Sequence, residues 1–365
     1  MKNMGLLLVV FAAIVAAAPL MAAASSINAY LYNPSRSQIV LEYPYKRPAD
    51  QVELKPTLVF HGDGIADGAY QLSYAIESRG RELYRGQVAV KVESGRFDNE
   101  IELKEQFPTA DRVSWRLAGP NLQPEQGFAA LAWSHFHGRV HYKNGMWHST
   151  TIDLLPTHFR APGRITVPVA DDGTFDALVP ARVYAIVNVN GTGYIYDSLE
   201  RWAWNYDLTR DREDDYTVGS TELYSARVFE VQGGPNTIFL FFRPTSLARV
   251  HRFDLDGDGL LNESEMKGLQ EATKRSPTAI GPELKPEDVV VWLDGTPLKV
   301  ARLDQLTEAS EGGGSQVDYL VQCFLPERIR RGVWHRLKFE VTSRNELRGQ
   351  MVTDFGQSSV DFLWP

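Results

Sequence analysis

The chain has a single cysteine, Cys323, in 365 residues, so no disulfide forms within it, and stability has to come from buried apolar surface or bound ions. Positive charge is also short: 38 Lys and Arg stand against 46 Asp and Glu, a formal net charge of −8. A field of that sign does not gather phosphate backbones, so no nucleic-acid partner is expected. The common catalytic motifs are missing too. There is no Gly-x-Ser-x-Gly nucleophile, no His-Glu-x-x-His, no phosphate loop and no dinucleotide fingerprint. The chain therefore reads as a non-enzyme with no catalytic residues to name, although a glycosidase, whose two carboxylates need no fixed spacing, is not removed by motif. No repeat of fixed period and no low-complexity tract interrupts it. What is present, 43% hydrophobic and 11% aromatic residues, is enough for two to four domains with ordinary cores.

Long apolar runs are confined to one place. Lys2 precedes an unbroken run from Gly5 to Ala24, which ends in Ala22, Ala23 and Ala24 ahead of Ser25. This is the pattern of a secretory signal peptide over residues 1–24. An uncleaved anchor is the competing reading, since the run is long enough to span a bilayer, but its small-residue end favours removal. The expectation is a secreted or periplasmic protein with no membrane span after cleavage. Cys323 then stands without a partner in an oxidising compartment, and its neighbours Val321, Phe324 and Leu325 suggest a buried, inert thiol.

Beyond the signal, apolar residues alternate with period two, as in Leu72, Tyr74, Ile76 and again in Val113, Trp115, Leu117. Alternation of this kind marks half-buried strands, and the turn residues between runs are spaced as in an antiparallel sandwich. The expected fold class is mainly β: several β-sandwich domains, Ig-like or transthyretin-like, with one helix-loop-helix inserted. The expected division is an N-terminal sandwich over 25–125, a linker near 119–127, a second β domain over 128–244, the helical unit over 245–280 and a small Ig-like domain over 281–365.

Two stretches carry family resemblances. Asp172-Gly173-Thr174-Phe175, Val179-Pro180 and Val183-Tyr184-Ala185-Ile186, with His137-Gly138-Arg139-Val140 and Lys143-Asn144-Gly145 before them, resemble a carboxypeptidase regulatory-like, transthyretin-type β-sandwich. Where that family places a glycine before the aromatic strand, this chain has Ala181-Arg182. The resemblance implies a structural accessory module without catalytic residues.

The second stretch is the dodecapeptide from Asp254 to Glu265, which is similar to the EF-hand calcium loop. Asp254, Asp256 and Asp258 occupy positions one, three and five, and Gly259 stands at the sharp bend of position six. Leu260 at seven offers its carbonyl, Asn262 at nine a side-chain oxygen or a bridging water, and Glu265 at twelve two oxygens. Six or seven oxygens suit Ca2+ better than the tight octahedron of magnesium. The flanks, Leu247, Val250, Phe253 and Met266 to Lys274, have the spacing of incoming and outgoing helices. The loop stands alone, whereas sensor hands work in pairs. The function expected is thus an exported, calcium-binding structural or binding protein of the cell envelope, partnered by an envelope polysaccharide or protein.

Weaker patterns are weighed beside these. Tyr194, Tyr196, Trp202 and Trp204 form the densest aromatic stretch and could stack a sugar ring, which gives a calcium-stabilised carbohydrate-binding or carbohydrate-active protein as the alternative; burial as core is the commoner fate of such residues. His135, His137 and His141 share one strand parity and could meet zinc or copper, although a solvated sheet face is commoner. The acidic stretch Asp207, Asp211, Glu213, Asp214, Asp215 and the basic patch Arg328, Arg330, Arg331, Arg336, Lys338 around Trp334 and His335 read as solvated loop and strand edge.

Overall fold

The computed structural model describes residues 26–32, 39–41, 51–53, 55–119, 122–143, 149–156, 163–231, 236–259, 261–309, 314–326 and 329–364. The expected signal segment, the hairpin residues Asn144 and Gly145, Leu260 and Arg328 lie outside them. The chain is mainly β, arranged as three face-to-face sandwiches in a row. Among the described residues no helix is long and apolar enough to cross a membrane.

The first sandwich uses β1 (Ser26–Tyr32), β2 (Ile39–Leu41), β3 (Gln51–Glu53), β4 (Thr57–Asp63), β5 (Gly68–Ser78), β6 (Arg81–Val92), β7 (Arg96–Glu102), β8 (Arg112–Gly119) and β9 (Leu122–Ala130). Sheet β1-β4-β7 faces sheet β6-β5-β8-β9, and β2 pairs with β3 apart from both. The alternation noted in the sequence does the work: Leu72, Ile76, Val113 and Leu117 turn inward to meet Leu58 and Phe60 of the facing sheet. The linker expected near 119–127 is a correction. Gly119 ends β8, Pro120 and Asn121 lie outside the described residues, and β9 completes the sheet by pairing with β8 from Leu122 to Ala130.

The second sandwich contains β10 (Trp133–Tyr142), β11 (Thr150–Leu155), β12 (Ile165–Pro168), β13 (Thr174–Pro180), β14 (Val183–Gly191), β15 (Arg201–Asp207) and β16 (Arg212–Val218). Sheet β13-β10-β16 packs on β12-β11-β14-β15. Gly138 lies in β10 at φ +149°, where the parallel partner β16 passes so close that an added Cβ would run into the Asp214 carbonyl. Strand β1 ties the first two units together. Its Leu31 faces the first core, while Tyr30 and Tyr32 face the second, their hydroxyls donating to Gly163 O at 2.9 Å and Thr166 O at 2.8 Å.

The third unit comprises β17 (Thr221–Phe229), β18 (Thr237–Ser246), α1 (Leu247–Val250), α2 (Glu263–Arg275), β19 (Val289–Leu293), β20 (Thr296–Leu298), β21 (Val300–Ala309), β22 (Ser315–Phe324), β23 (Trp334–Leu347) and β24 (Gln350–Leu363). Sheet β17-β18-β22-β21 covers one face of an eight-stranded sheet ordered β12-β11-β14-β15-β24-β23-β19-β20. Two sequence boundaries fail here. Residues 221–244, expected in the second domain, hydrogen-bond into the third through β18 and β22. The second and third units also share a sheet, because β24 pairs in parallel with β15 at Ala203 to Ser359 and Trp204 to Val360. The reason is that β15 is apolar on both faces: Ala203 and Tyr206 enter the second core, Trp202 and Trp204 the third.

Candidate calcium site

Strand β18 ends at Ser246, whose Oγ caps α1 by accepting from Arg249 N at 3.2 Å and donates to Asp354 Oδ2 at 2.5 Å. The incoming helix expected from the sequence is one turn long, because residues up to Ser246 are held in the sheet by β17. Leu247, Ala248 and Val250 are buried, and tight hydrogen bonds from Arg252 N to Arg249 O and from Phe253 N to Val250 O carry the chain into the loop. The outgoing helix α2 is complete. Asn262 is its N-cap, and Glu265 closes a capping box.

Inside the loop, Asp254 accepts from Gly257 N at 2.7 Å and Gly259 N at 3.0 Å, one on each carboxylate oxygen. Glu265 accepts from Leu255 N at 2.6 Å and Asn262 N at 2.9 Å, clamping the two ends of the loop. Asp254, Asp256 and Glu265 each present a carboxylate oxygen within 4.8 Å of the others. Asp254 and Glu265 are buried while Asp256 faces solvent. Gly257 and Gly259 take φ of +83° and +85°, the left-handed turns that fold alternate acids inward. Of the six expected ligands, three thus converge. Asp258 is exposed outside that group, Asn262 spends its Oδ1 on the backbone of Ser264 and Glu265, and Leu260 lies outside the described residues.

Electrostatics at the loop follow from this packing. Burial would raise the Asp254 carboxyl, but the N–H groups of Gly257 and Gly259 and the Arg348 guanidinium hold it below its ordinary value. At Asp256 the Asp258 N–H favours the ionised form, yet desolvation and the charges of Asp258 and Glu265 outweigh it and raise the carboxyl. Arg348, at the β23–β24 tip, donates to Asp254 O at 2.8 Å and to its Oδ2 at 3.1 Å. From the opposite side, the Tyr196 ring lies where a Cβ on Gly259 would come within 2.8 Å of it, and His251 Nε2 meets Ile195 O at 2.6 Å. The loop is therefore braced by the β14–β15 turn and by the β23–β24 hairpin.

In the aromatic stretch the commoner fate, burial as core, holds for Trp202 and Trp204, and the alternative sugar platform fails there. Trp202 and Trp204 are 1% and 4% exposed, stacked on each other at 5.8 Å with Tyr224 edge-on to both. They are core between two sheets, so no sugar ring reaches them. Tyr194 is half-buried and Tyr196, 45% exposed, covers the calcium loop. Beneath the indoles, Trp202 Nε1 donates to Glu222 Oε1 at 2.9 Å, and burial raises the Glu222 carboxyl to about 7 against that hydrogen bond. A carboxyl raised on folding stabilises the protein below its ordinary value of 4.5, and that contribution is lost as pH rises towards 7. Stability measured by urea melts from pH 4.5 to 8 should fall across that window in the native protein, and less in Glu222→Gln; an identical slope in both would remove Glu222 as the cause.

The remaining patterns resolve into structure. His135 and His137 lie with ring centres 4.4 Å apart and His135 Nε2 meets Asp176 Oδ1 at 2.9 Å, but among the described residues only the Asp254 cluster gathers three potential ligand atoms. The acidic stretch and the basic patch meet each other. Arg336 pairs with Asp214 and lies 3.4 Å from Asp361, and Arg212 donates to Asp361 Oδ2 at 2.5 Å. Asp207, Asp214 and Arg336 thus belong to a partly buried joint between the second and third units, while Asp211, Glu213, Asp215, Arg330 and Arg331 are exposed, as a solvated loop and edge would have them. Cys323 sits in the third core, where burial pushes its thiol up to about 12 and leaves it unreactive.

No protein-family model matches the chain. No curated protein matches it either. Among solved structures, it is similar to a DUF3823 family protein from Parabacteroides merdae at 10% identity, over 62% of this chain and 98% of that one, TM-score 0.18. A DUF3823 family protein from Bacteroides ovatus gives 10%, 63%, 98% and 0.19 in the same terms. BcpA, the major pilin subunit of Bacillus cereus, gives 9%, 63%, 69% and 0.18. At these TM-scores the likeness adds nothing to what the sheets show by themselves.

Proposed function

We propose that this is an exported, non-catalytic, calcium-binding protein of the cell envelope, in which one Ca2+ closes the loop from Asp254 to Glu265 and fixes how the surrounding strands meet. The observation that carries the reading is the convergence of Asp254, Asp256 and Glu265 in a loop whose two glycines take left-handed turns. Hard carboxylate oxygens in a flexible loop suit calcium, and mutual repulsion of these acids is what a divalent ion relieves. A structural role fits the setting better than a sensor's: the incoming helix is a single turn, and Tyr196 and Arg348 brace the loop from fixed parts of the sheets. The transthyretin-type resemblance of the second unit agrees with an accessory, non-enzymatic module.

At a free calcium concentration about a hundredfold above Kd, binding stabilises the folded state by about 2.7 kcal/mol. For a unit of this size that is a rise in Tm of roughly 5–10 °C. Calorimetric titration of the mature protein should show uptake of one calcium ion, and chelation should lower the Tm by that amount. Glu265→Gln should abolish the difference between chelated and loaded protein. An unchanged melt on chelating loaded protein, or no heat of binding, would sink the reading.

A further inference from the structure

The outer face of sheet β6-β5-β8-β9 is a trough of 940 Å³ with no role in the calcium loop. Strand register builds it in rows. One row runs Arg85, Ala75, Ser114, Phe128, and the next Gln87, Ser73, Arg116, Gln126. Small side chains on β5 and at Ser114 leave the middle low, while long ones on β6 and β9 form the rims. Three arginines line the trough, Arg85, Arg112 and Arg116, and no carboxylate does. Glu77 and Glu82 stand in the adjoining row, where Glu77 takes the Ser114 hydroxyl at 2.5 Å and Glu82 pairs with Arg85. Arg112 lies 4.5 Å over one face of the Phe128 ring, which is 63% exposed. Among the described residues Arg116 makes no ion pair; on β8 it stands between Ser73 of β5 and Gln126 of β9.

We propose that this trough binds one strand of an acidic polysaccharide, bearing uronate or sulfate groups. The guanidinium of Arg116 offers paired donors to a carboxylate or sulfate. Ser73, Gln87 and Gln126 supply the neutral hydrogen bonds that sugar hydroxyls take, and the open face of Phe128 suits the C–H surface of a pyranose ring. Local charge complementarity selects the occupant: Arg85 is paired with Glu82, while Arg112 and Arg116 make no ion pair among the described residues. Nucleic-acid surfaces carry a wider basic field, and this chain has none. One exposed aromatic among amides and hydroxyls is too little apolar surface to enter a lipid layer.

The test is affinity electrophoresis of the mature protein in gels containing polygalacturonate, dextran sulfate, neutral dextran or poly-dT, at about 150 mM salt so that distant charges are screened. Retardation by polygalacturonate, dextran sulfate or both, with none by dextran, is the expected result, and the stronger of the two identifies the anionic group. Arg116→Glu should weaken binding at least about tenfold, which corresponds to about 1.4 kcal/mol, and Phe128→Ala about threefold or more. Arg302→Glu, on the distant β21, should leave it unchanged, and each variant's Tm should match the native value. No retardation by either acidic polymer, undiminished binding by Arg116→Glu, or equal binding of poly-dT would each overturn the assignment.

Discussion

Trp202→Ala should cost about 3–5 kcal/mol, read as a lower midpoint in urea with little change in slope. The residue is 1% exposed, and its indole packs against both Trp204 and Tyr224 while donating to Glu222. Truncation removes one of the largest side chains of the third core and strands a buried carboxylate as well. The sheets on either side are hydrogen-bonded along their lengths and have little freedom to close the hole. A loss below about 1 kcal/mol would mean that the indole is not core. The same variant should leave binding of acidic polysaccharide untouched, because the trough belongs to the first sandwich.

The second large effect is at the joint between the second and third units. Burial alone would raise the Asp214 carboxyl, yet Arg336, Arg201 and Arg212 hold it below its ordinary value. Tyr206 donates to Asp214 at 2.6 Å, and Tyr216 to Tyr206 at 2.6 Å. Removing one partner leaves a desolvated charge without compensation, so Asp214→Asn and Arg336→Met should each cost about 3–5 kcal/mol. The double variant should lose less than the sum of the two, since it removes both charges. The pH dependence has a definite sign. A carboxyl lowered on folding contributes stability above its ordinary value of 3.8 and loses it as pH falls through the folded value. Asp214→Asn should therefore flatten the acid limb of the stability curve below about pH 4. Strict additivity in the double variant would show that the two charges do not meet.

What could be read in the sequence was local. The loop from Asp254 to Glu265 was legible because its pattern lies in twelve consecutive residues; the fold brings Asp254, Asp256 and Glu265 together and leaves Asp258 outside that group. Strand alternation in β5 and β8 was legible for the same reason. The aromatic stretch left two readings open because the fate of Trp202 and Trp204 is decided by β17 and β24, which cover and extend β15 from far along the chain. No local period announces a parallel pair between Ala203 and Ser359. The linker near 119–127 was misplaced because Gly119-Pro120 punctuates a hairpin as readily as a domain boundary. The trough was overlooked although its signal was present: Ser73 and Ala75, Ser114 and Arg116, Arg85 and Gln87 occupy the parity opposite to the apolar residues on the same strands.

Strand β24 has a consequence for the order in which the molecule can assemble. Ser358 Oγ donates to Trp202 O across 156 residues, and β24 is the neighbour that β15 needs to complete its sheet. A polypeptide emerging from its N-terminal side presents β15 long before β24 is available, so the second and third units mature together and late. Such delay leaves both units loosely packed until the last strand of the shared sheet is present.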